Sequence, residues 1–181
     1  MIFKSLPLKG AYKIDLEKHG DSRGFFARYW CKNESKELGL VTNIVQINNS
    51  MSRYKGTLRG LHFQRPPKAE IKIIRCIRGS IWDVIVDIRK DSKTYGKWYG
   101  TELNESNRSM LYVPKGFAHG FVSLTDNSEI IYLVTEFYNQ EHEDILRWDD
   151  PFHGIDWPIQ PQEISEKDAG VDDWVEKKQL F

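Results

Sequence analysis

The first candidate for chemistry is a histidine in the stretch GTLRGLHFQRPP, residues 56–67. The run is strand-like and bounded by Gly and Pro, so a period of two predicts that alternate side chains share a face. That period groups Leu58, Gly60, His62 and Gln64 on one face, and Arg59, Leu61 and Phe63 on the other. A single histidine on a strand is either a structural residue with satisfied hydrogen bonds or a group that faces a reactive site. The positions of other polar residues along the chain help to distinguish these two interpretations.

Two further strand-like runs carry polar side chains on one face. Gln46, Asn48 and Ser50 alternate along one run, and Tyr132, Val134, Glu136 and Tyr138 alternate along the other. If these faces and the face of His62 point into one barrel, its interior is polar and aromatic. Each residue alone also has an ordinary role, since a tyrosine often packs its ring in a core with its hydroxyl in solvent. The combination makes a ligand-binding interior as good an interpretation as these ordinary roles.

The run YVPKGFAHGF, residues 112–121, has the Pro-x-Gly-x-x-His form of the second motif of cupin β-barrels, with Pro114, Gly116 and His119 in the matching positions. The first cupin motif normally supplies His-x-His and a later Glu as metal ligands. Here residues 62–64 read His-Phe-Gln, with Glu70 further on. Glutamine is a poor ligand for zinc or iron compared with a second imidazole. The motif therefore predicts no metal, and a metal site of the two histidines with Glu70 stays open as the alternative.

Most of the chain that must position these residues is predicted to be β. Short runs rich in Ile, Val, Phe, Tyr and Trp are separated by Gly, Pro, Asn or Asp, which is the pattern of a sandwich or barrel. The predicted strands are GFFARYW (24–30), NIVQINNS (43–50), GTLRGLHFQ (56–64), IKIIRCIRG (71–79), SIWDVIVDIRK (80–90), SMLYVPKGFAHGFVSL (109–124) and EIIYLVTEFY (129–138). Arg78–Ser80 is predicted to be a hairpin turn, and Asn33–Leu40 a short helix that ends near Gly39.

The run 80–90 shows the alternation most clearly. One face carries Trp82, Val84, Val86 and Ile88, and the opposite face carries Asp83, Asp87 and Arg89. Apolar and charged residues on opposite faces are typical of a strand with one face in the core and the other in solvent. The sequence therefore predicts a half-buried strand here.

Length and composition limit the class of protein. The 181 residues suit one domain, 1–181, with a polar tail from about residue 169 that is predicted to be peripheral. Lys plus Arg and Asp plus Glu are 26 each, which argues against nucleic acid or a membrane surface as a partner. Lys4 and Lys9 interrupt the N-terminal apolar residues, and no run reaches the roughly 18 apolar residues of a membrane span. Cys31 and Cys76 are too few for a disulfide framework, so we expect a cytoplasmic protein.

From about Gly20 to Asp168 the chain resembles the dTDP-4-dehydrorhamnose 3,5-epimerase family, which are cupins that work without metal. The resemblance rests on seven motifs in the family's order and with similar spacing: DSRGFF, VQINNS, LRGLHFQ, VDIRKDSKTYGKW, VPKGFAHGF, RWDDPFHGIDWP and ISEKD. It implies an all-β fold, the double-stranded β-helix or cupin jelly-roll barrel with a few short helices. It also implies a homodimer that uses no cofactor and acts on a nucleotide-diphosphate sugar in deoxysugar biosynthesis.

The family's reaction inverts carbon centres next to the C4 ketone of a 4-keto-6-deoxy sugar. A base removes the weakly acidic α proton, a group stabilises the enolate oxygen, and an acid on the opposite face returns a proton. The resemblance assigns the base to His62, and an imidazole with a pKa near 6.5 suits that task at cellular pH. It assigns Asp168 to orienting the ring, Lys72 to the developing oxyanion and Tyr132 to proton donation. An unperturbed tyrosine, with a pKa near 10, would hold the proton it donates.

The resemblance also implies the positions that contact the nucleotide sugar. These are Arg23, Phe26, Arg28, Gln46, Asn48, Arg59, His119, Tyr138, Glu143 and Lys167. Arginine and lysine among them would bind the diphosphate, and Tyr138 would stack near the base. Strict alternation puts Arg59 on the face opposite His62, so a bulge or twist at Gly60 is needed for both to reach one ligand.

Two positions depart from the family pattern. Arg28 stands where the family usually has Glu, and Ile47 stands where it usually has Asp. A cation that only donates hydrogen bonds cannot replace an anion that only accepts them, so recognition at that position must differ. Both changes spare the proton-transfer residues. A CDP-linked or other nucleotide-linked 4-keto sugar, or inversion at a single carbon, is therefore an alternative, as are a metal-dependent cupin and a non-catalytic sugar-nucleotide binder.

Overall fold

The apolar runs form short strands that pack as two sheets, and the computed structural model describes residues 1–174 and 181. Within these residues the strands are β1 Ile2–Ser5, β2 Tyr12–Asp15, β3 His19–Asp21, β4 Gly24–Phe26, β5 Gln46–Ser52, β6 Thr57–Gln64, β7 Lys72–Arg78, β8 Ser80–Asp87, β9 Trp98–Asn104, β10 Met110–Val113, β11 Phe117–Ser123, β12 Ser128–Val134, β13 Glu143–Ile145 and β14 Glu163–Ile164. The helices are α1 Lys32–Glu37 and α2 Glu166–Ala169.

The strands are arranged as two large antiparallel sheets and one small hairpin. The first sheet has the order β1-β2-β10-β7-β12-β5, and the second has the order β13-β6-β11-β8-β9. The short strand β14 adds to β6 in parallel, and β3 pairs with β4 away from both sheets. This arrangement confirms the predicted all-β jelly-roll barrel with a few short helices.

Three apolar clusters hold the sheets. The first fills the space between them and includes Ile74 and Leu111 from the first sheet and Ile81 and Ile85 from the second. A second cluster covers the outer face of the second sheet, and a third covers the outer face of the first sheet. Both large sheets are therefore buried on parts of both faces, which makes the barrel a rigid frame for polar residues placed inside it.

Strand β8 corrects the prediction of a half-buried strand. Ile81 and Ile85 face the inter-sheet cluster, and Val84 and Val86 face the outer cluster. Asp83 lies on the interior face and is fully buried. The alternation was identified correctly, but the polar face points into the barrel rather than into solvent, because the outer face is covered by other segments of the chain.

The predicted hairpin at Arg78–Ser80 is also wrong. Strands β7 and β8 meet at Gly79 but belong to different sheets, so the turn carries the chain from one sheet to the other. The predicted run 24–30 is a strand only over Gly24–Phe26, and the run 109–124 divides into β10 and β11 around Pro114. The strands β1, β2, β3, β9, β13 and β14 were not predicted.

The predicted helix is confirmed, whereas part of the predicted C-terminal tail lies outside the described residues. The predicted helix at 33–40 is present as α1, and Gly39 follows it with a φ of 70°. Residues 175–180 of the tail lie outside the described residues, but Trp174 is only 6% exposed and packs in the outer cluster of the second sheet. The single-domain organisation stays a prediction. Among the described residues, no helix has the length and apolar character needed to cross a membrane.

Candidate active site

Two adjoining cavities open between the sheets, and the candidate catalytic residues lie where they meet. We call these two cavities the first lobe, with a volume of about 460 Å³, and the second lobe, with a volume of about 310 Å³. Three side chains line both lobes: His62, Lys72 and Tyr132. Of the other predicted site residues, the first lobe contains Arg59, His119, Lys167 and Asp168, and the second contains Gln46, Asn48, Tyr138 and Glu143.

A bulge in β6 brings Arg59 and His62 to the same cavity. His62 pairs with His119 across the sheet, whereas Arg59 pairs with Phe121, so three residue steps on β6 oppose two steps on β11. The extra residue changes the alternation, as a β-bulge does. Gly60 permits this backbone because its φ is 114° and an added Cβ would lie 2.7 Å from backbone atoms of β11. The predicted bulge at Gly60 is therefore confirmed, and it allows Arg59 and His62 to line the same cavity.

His62 and Asp168 form a base–carboxylate pair. The His62 Nε2 atom lies 2.7 Å from Asp168 Oδ1, and the second carboxylate oxygen accepts the Gly60 N–H at 3.2 Å. Burial alone would raise the pKa of Asp168, but the hydrogen bond from His62, the positive charge of that ring when it is protonated, and the Gly60 N–H hold the pKa below its ordinary value. An ionised carboxylate only accepts hydrogen bonds, so Nε2 of the neutral imidazole carries the proton and Nδ1 keeps a free lone pair.

A second histidine–aspartate pair lies directly across the sheet from the first. The His119 Nε2 atom lies 2.8 Å from Asp83 Oδ1, and the Asp83 side chain is completely buried. The His62 side chain is 33% exposed but the His119 side chain only 9%. His62 is therefore the histidine open to a bound molecule, and His119 has its ring held in the cavity wall.

The ammonium of Lys72 is fixed close to the strand that carries His62. Its Nζ donates to the His62 carbonyl oxygen at 3.1 Å and forms an ion pair with Glu70 Oε1 at 3.1 Å. Both side chains of that ion pair are only 11% exposed. Lys72 lines both lobes, so a cation held in this way can stabilise negative charge that develops there.

Tyr132 approaches the same space from the first sheet. Burial raises the pKa of Tyr132, and the negative charges of Glu70 and Glu143 raise it further. The positive charge of Arg59 lowers this pKa but does not cancel the increase. The hydroxyl therefore keeps its proton throughout the neutral pH range. This arrangement suits Tyr132 to the role of an acid rather than a base.

The second lobe is lined by polar side chains that hold one another. Gln46 Nε2 donates to Asn48 Oδ1 at 2.7 Å, and the hydroxyl of Tyr138 donates to Glu143 Oε2 at 2.9 Å. The same Glu143 oxygen accepts Lys167 Nζ at 2.6 Å, which links the two lobes at their rim. Tyr138 was predicted to continue a strand face with Tyr132, but β12 ends at Val134 and Tyr138 reaches the lobe from the following loop.

Four predicted or noted positions lie outside both lobes. Arg23 pairs with Asp21, Phe26 is 70% exposed on the β3–β4 hairpin, and Arg28 Nη1 donates to Glu34 Oε1 at 2.7 Å. Ile47 is 64% exposed on the outward face of β5. The chain therefore does not bring these residues to its own cavity.

Asp83 is the site residue that sequence analysis missed. Its face was interpreted as solvent-exposed, although a carboxylate between two isoleucines on a long apolar strand is itself a signal of a buried partner. Glu70 was considered only as a metal ligand. In the structure it is the counter-ion of Lys72.

The residues considered for a metal site are each engaged elsewhere. His62 faces Asp168, His119 faces Asp83, and Glu70 faces Lys72. Over residues 1–174 and 181, no group of three or more His, Cys, Asp or Glu side chains has an arrangement that could hold a metal ion. The alternative of a metal centre built from these three residues therefore has no support in the geometry.

Comparison with known proteins gives one consistent family. A family model described as dTDP-4-dehydrorhamnose 3,5-epimerase matches residues 5–176. The chain is 46% identical over 169 residues to the dTDP-4-dehydrorhamnose 3,5-epimerase of Methanothermobacter thermautotrophicus, covering 92% of this chain and 90% of that protein.

Solved structures agree with the sequence comparison. The crystal structure of the dTDP-4-dehydrorhamnose 3,5-epimerase of Elizabethkingia anophelis superposes with a TM-score of 0.95 at 40% identity, covering 98% of each chain. The dTDP-6-deoxy-D-glucose-3,5-epimerase of Legionella pneumophila, solved in complex with dTDP-4-keto-L-rhamnose, superposes with a TM-score of 0.87 at 37% identity, covering 94% of this chain and 90% of that one.

Proposed function

The chain belongs to the dTDP-4-dehydrorhamnose 3,5-epimerase family, and from this membership we propose the reaction and the roles of its residues. The protein is an isomerase, a nucleotide-sugar epimerase of deoxysugar biosynthesis. Its substrate is a dTDP-linked 4-keto-6-deoxyhexose, and it inverts C3, C5 or both. The single observation that carries the proposal is the His62–Asp168 pair at the junction of the two lobes.

The first step is removal of the proton α to the C4 ketone. Nδ1 of His62 takes this proton, and the electron pair of the broken C–H bond moves into the carbonyl to form an enolate. The imidazolium that results is stabilised by the ionised carboxylate of Asp168. Since the Asp168 side chain is only 5% exposed, water does not weaken this interaction.

Lys72 stabilises the enolate oxygen. Its ammonium is held by the His62 carbonyl and by Glu70, so it needs little reorganisation when the charge develops. A cation fixed in advance in an enclosed site can contribute several kcal/mol to the transition state, on the order of what one oxyanion-hole donor contributes.

Tyr132 returns a proton to the carbon from the opposite face. The phenol O–H bond breaks, a new C–H bond forms, and the enolate electrons return to the carbon, so the centre is inverted and the ketone restored. The phenolate regains a proton from water, and His62 releases its proton to water. The chain itself supplies base, cation and acid, so we propose that the reaction uses no cofactor.

The second lobe is the site for the remainder of the nucleotide sugar. There Gln46 and Asn48 offer amide groups and Tyr138 offers an exposed ring for stacking, while Lys167 and Arg59 in the first lobe offer cations for the diphosphate. We propose that the chain forms a homodimer and that the exposed hairpin β3–β4, with Arg23 and Phe26, contacts the second copy. We place the enzyme in the cytoplasm, where the free thiols of Cys31 and Cys76 stay reduced.

The proposal is tested by proton exchange in D2O. The protein is incubated with dTDP-4-keto-6-deoxyglucose and, separately, with its CDP-linked counterpart, and deuterium at C3 and C5 is followed by NMR. We expect deuterium at both carbons of the dTDP sugar. Label at one carbon, or only in the CDP sugar, identifies the single-centre or CDP-specific alternative, and no exchange with either substrate overturns the proposal.

A further inference from the structure

The segment that carries Asp168 is attached to β6 at two places, one on each side of the aspartate. Upstream, β14 pairs in parallel with β6, with Glu163 opposite Thr57 and Ile164 opposite Leu58. Downstream, the Trp174 ring packs edge-on against Phe63 at a centroid distance of 6.2 Å. Phe63 is the residue next to His62. Both attachments therefore hold the segment of Asp168 against β6, the strand that carries the proposed base.

The downstream attachment depends on Asp150, a buried carboxylate that the reaction does not use. Asp150 is 1% exposed, and its Oδ2 atom accepts a hydrogen bond from the Trp174 backbone N–H. Its Oδ1 atom accepts the N–H of Phe152 at 3.0 Å, which fixes the turn that follows it. The indole N–H of Trp174 donates to the hydroxyl of Tyr95 at 3.1 Å. Asp150 therefore joins the 147–153 segment to the C-terminal segment, beside the ion pair of Arg147 with Asp173.

The helix between the two attachments has little stability of its own. Helix α2 has four residues, one turn, and a single turn does not form alone in water because nucleation of a helix is unfavourable. Its N-cap Ser165 and the Gly60 N–H bond to Asp168 orient the aspartate locally. The position of the turn as a whole is therefore set by contacts outside it, namely β14 on one side, Trp174 on the other, and the ion pair of Lys167 with Glu143.

We propose that Asp150 is a positioning residue for proton abstraction: by binding the Trp174 N–H it holds the α2 turn so that Asp168 meets Nε2 of His62. This inference rests on the proposed function, in which His62 is the base. Asp150 does not touch the cavity, so its effect reaches the reaction only through Asp168.

The test replaces Asp150 by asparagine, which has the same shape. The amide oxygen can still accept the Phe152 N–H, but the amide NH2 then faces the Trp174 N–H, and two donors cannot bond. We expect Asp150→Asn to lower kcat about tenfold, which corresponds to an increase of about 1.4 kcal/mol in the activation free energy of the reaction. KM should change less than kcat, since only Lys167 among the proposed binding residues lies on the α2 turn, whereas Gln46, Asn48 and Tyr138 lie on β5 and on the loop after β12. The exposed Asp156, six residues further along the chain, provides the matched control Asp156→Asn, which should leave kcat unchanged.

A double-mutant cycle separates positioning from a general loss of structure. In an Asp168→Ala background, measured as slow α-proton exchange, Asp150→Asn should cause no further loss, because its route to the reaction is already removed. A further tenfold loss in that background, or an unchanged kcat in the single variant, overturns the inference. If Asp150→Asn does not fold, Tyr95→Phe removes only one oxygen from the same attachment, and we expect a loss of about threefold in kcat that again disappears with Asp168→Ala.

An activity-independent measurement keeps this inference distinct from the proposed function. The Nε2–H proton of His62, bonded to Asp168, is observed by NMR in the wild-type protein and should broaden or shift in Asp150→Asn but not in Asp156→Asn. If no tested sugar exchanges its protons while this signal changes as expected, the proposed function fails and the positioning role stands. If the sugars exchange and the signal is identical in both variants, the positioning role fails.

Discussion

His62 and His119 lie directly opposite each other on the adjacent strands β6 and β11. Each ring nitrogen Nε2 faces its own aspartate, Asp168 for His62 and Asp83 for His119. The two pairs differ in access to the cavity, because the His62 side chain is 33% exposed and the His119 side chain only 9%. We therefore propose different tasks for the two pairs, and substitutions at each should separate catalysis from binding.

Replacing His62 by alanine should abolish α-proton exchange with little loss of ligand affinity. The imidazole is the proposed base, and general-base groups contribute roughly 10² to 10⁴-fold to a rate. Exchange of the substrate protons in D2O and titration with dTDP measure the two quantities. His119→Ala is the comparison: it should chiefly weaken sugar-nucleotide binding. Near-wild-type exchange in His62→Ala removes His62 from the mechanism.

Replacing Asp168 by asparagine should lower kcat by a factor on the order of 10³ to 10⁴ while leaving the cavity intact. An amide cannot stabilise the imidazolium, and its NH2 group favours the tautomer with the proton on Nδ1, which blocks the base; the same change in the serine-protease triad costs about 10⁴-fold. Single-turnover exchange rates and KM provide the measurement. A variant with normal kcat and raised KM would show that Asp168 binds substrate instead.

Replacing Tyr132 by phenylalanine should prevent complete epimerisation but allow part of the α-proton exchange. His62 can still remove and return a proton on its own face, so label enters without inversion. In the wild-type protein the raised pKa of Tyr132, caused mainly by burial, keeps the acid protonated as pH rises, so kcat should be lost only above about pH 10. Tyr138→Phe is the control and should affect binding alone. Inversion at an undiminished rate in Tyr132→Phe excludes it as the acid.

Replacing Gly60 by alanine should destabilise the protein and also reduce catalysis. The new Cβ would lie 2.7 Å from the Gly120 Cα atom and the His119 carbonyl oxygen, at a φ of 114°. Strain and overpacking together should lower the free energy of unfolding by about 2–4 kcal/mol. Gly39→Ala isolates the backbone term, since Gly39 has a φ of 70° but nothing within 4 Å of an added Cβ, and should cost about 1 kcal/mol. Equal losses in urea denaturation would show that the close approach at Gly60 contributes nothing.

The sequence predicted the fold well where alternation was strong and failed where burial depends on distant segments. Strand β8 illustrates this limit. The period of two separated Asp83 from Val84 correctly, but the side of the strand that faces solvent depends on residues such as Leu146 and Trp174, far along the chain. No local pattern contains that information, so Asp83 was assigned to the surface.

The candidate site was predicted through motifs rather than through elements. His62 and Tyr132 were recognised on their strands, and the bulge at Gly60 could be inferred because Arg59 otherwise pointed the wrong way. Asp168 lies 106 residues from His62, and only the family resemblance linked the two. The motif match failed for Arg23 on the β3–β4 hairpin, which lies outside both lobes. A matching motif does not show whether a residue reaches the cavity of the same chain.

Protonation of His153 should destabilise the fold at mildly acidic pH. Its Nδ1–H donates to the Gly96 carbonyl oxygen at 3.1 Å, and burial lowers the pKa of the imidazole below its ordinary value. A lowered pKa in the folded state means that the unfolded chain binds the proton more readily. The contribution is therefore fully present above about pH 6.5 and is lost as pH falls toward the lowered value, with a slope of at most about 1.4 kcal/mol per pH unit for one proton.

The variant His153→Asn tests this linkage, because its side-chain NH2 can still donate to the Gly96 carbonyl oxygen but does not titrate. Urea denaturation at several pH values from 7.5 to 5 should give a flatter stability profile for His153→Asn than for the wild-type protein. Identical profiles for wild type and His153→Asn would mean that the buried imidazole does not change its proton occupancy on unfolding in this range, and that other groups cause any acid sensitivity of the fold.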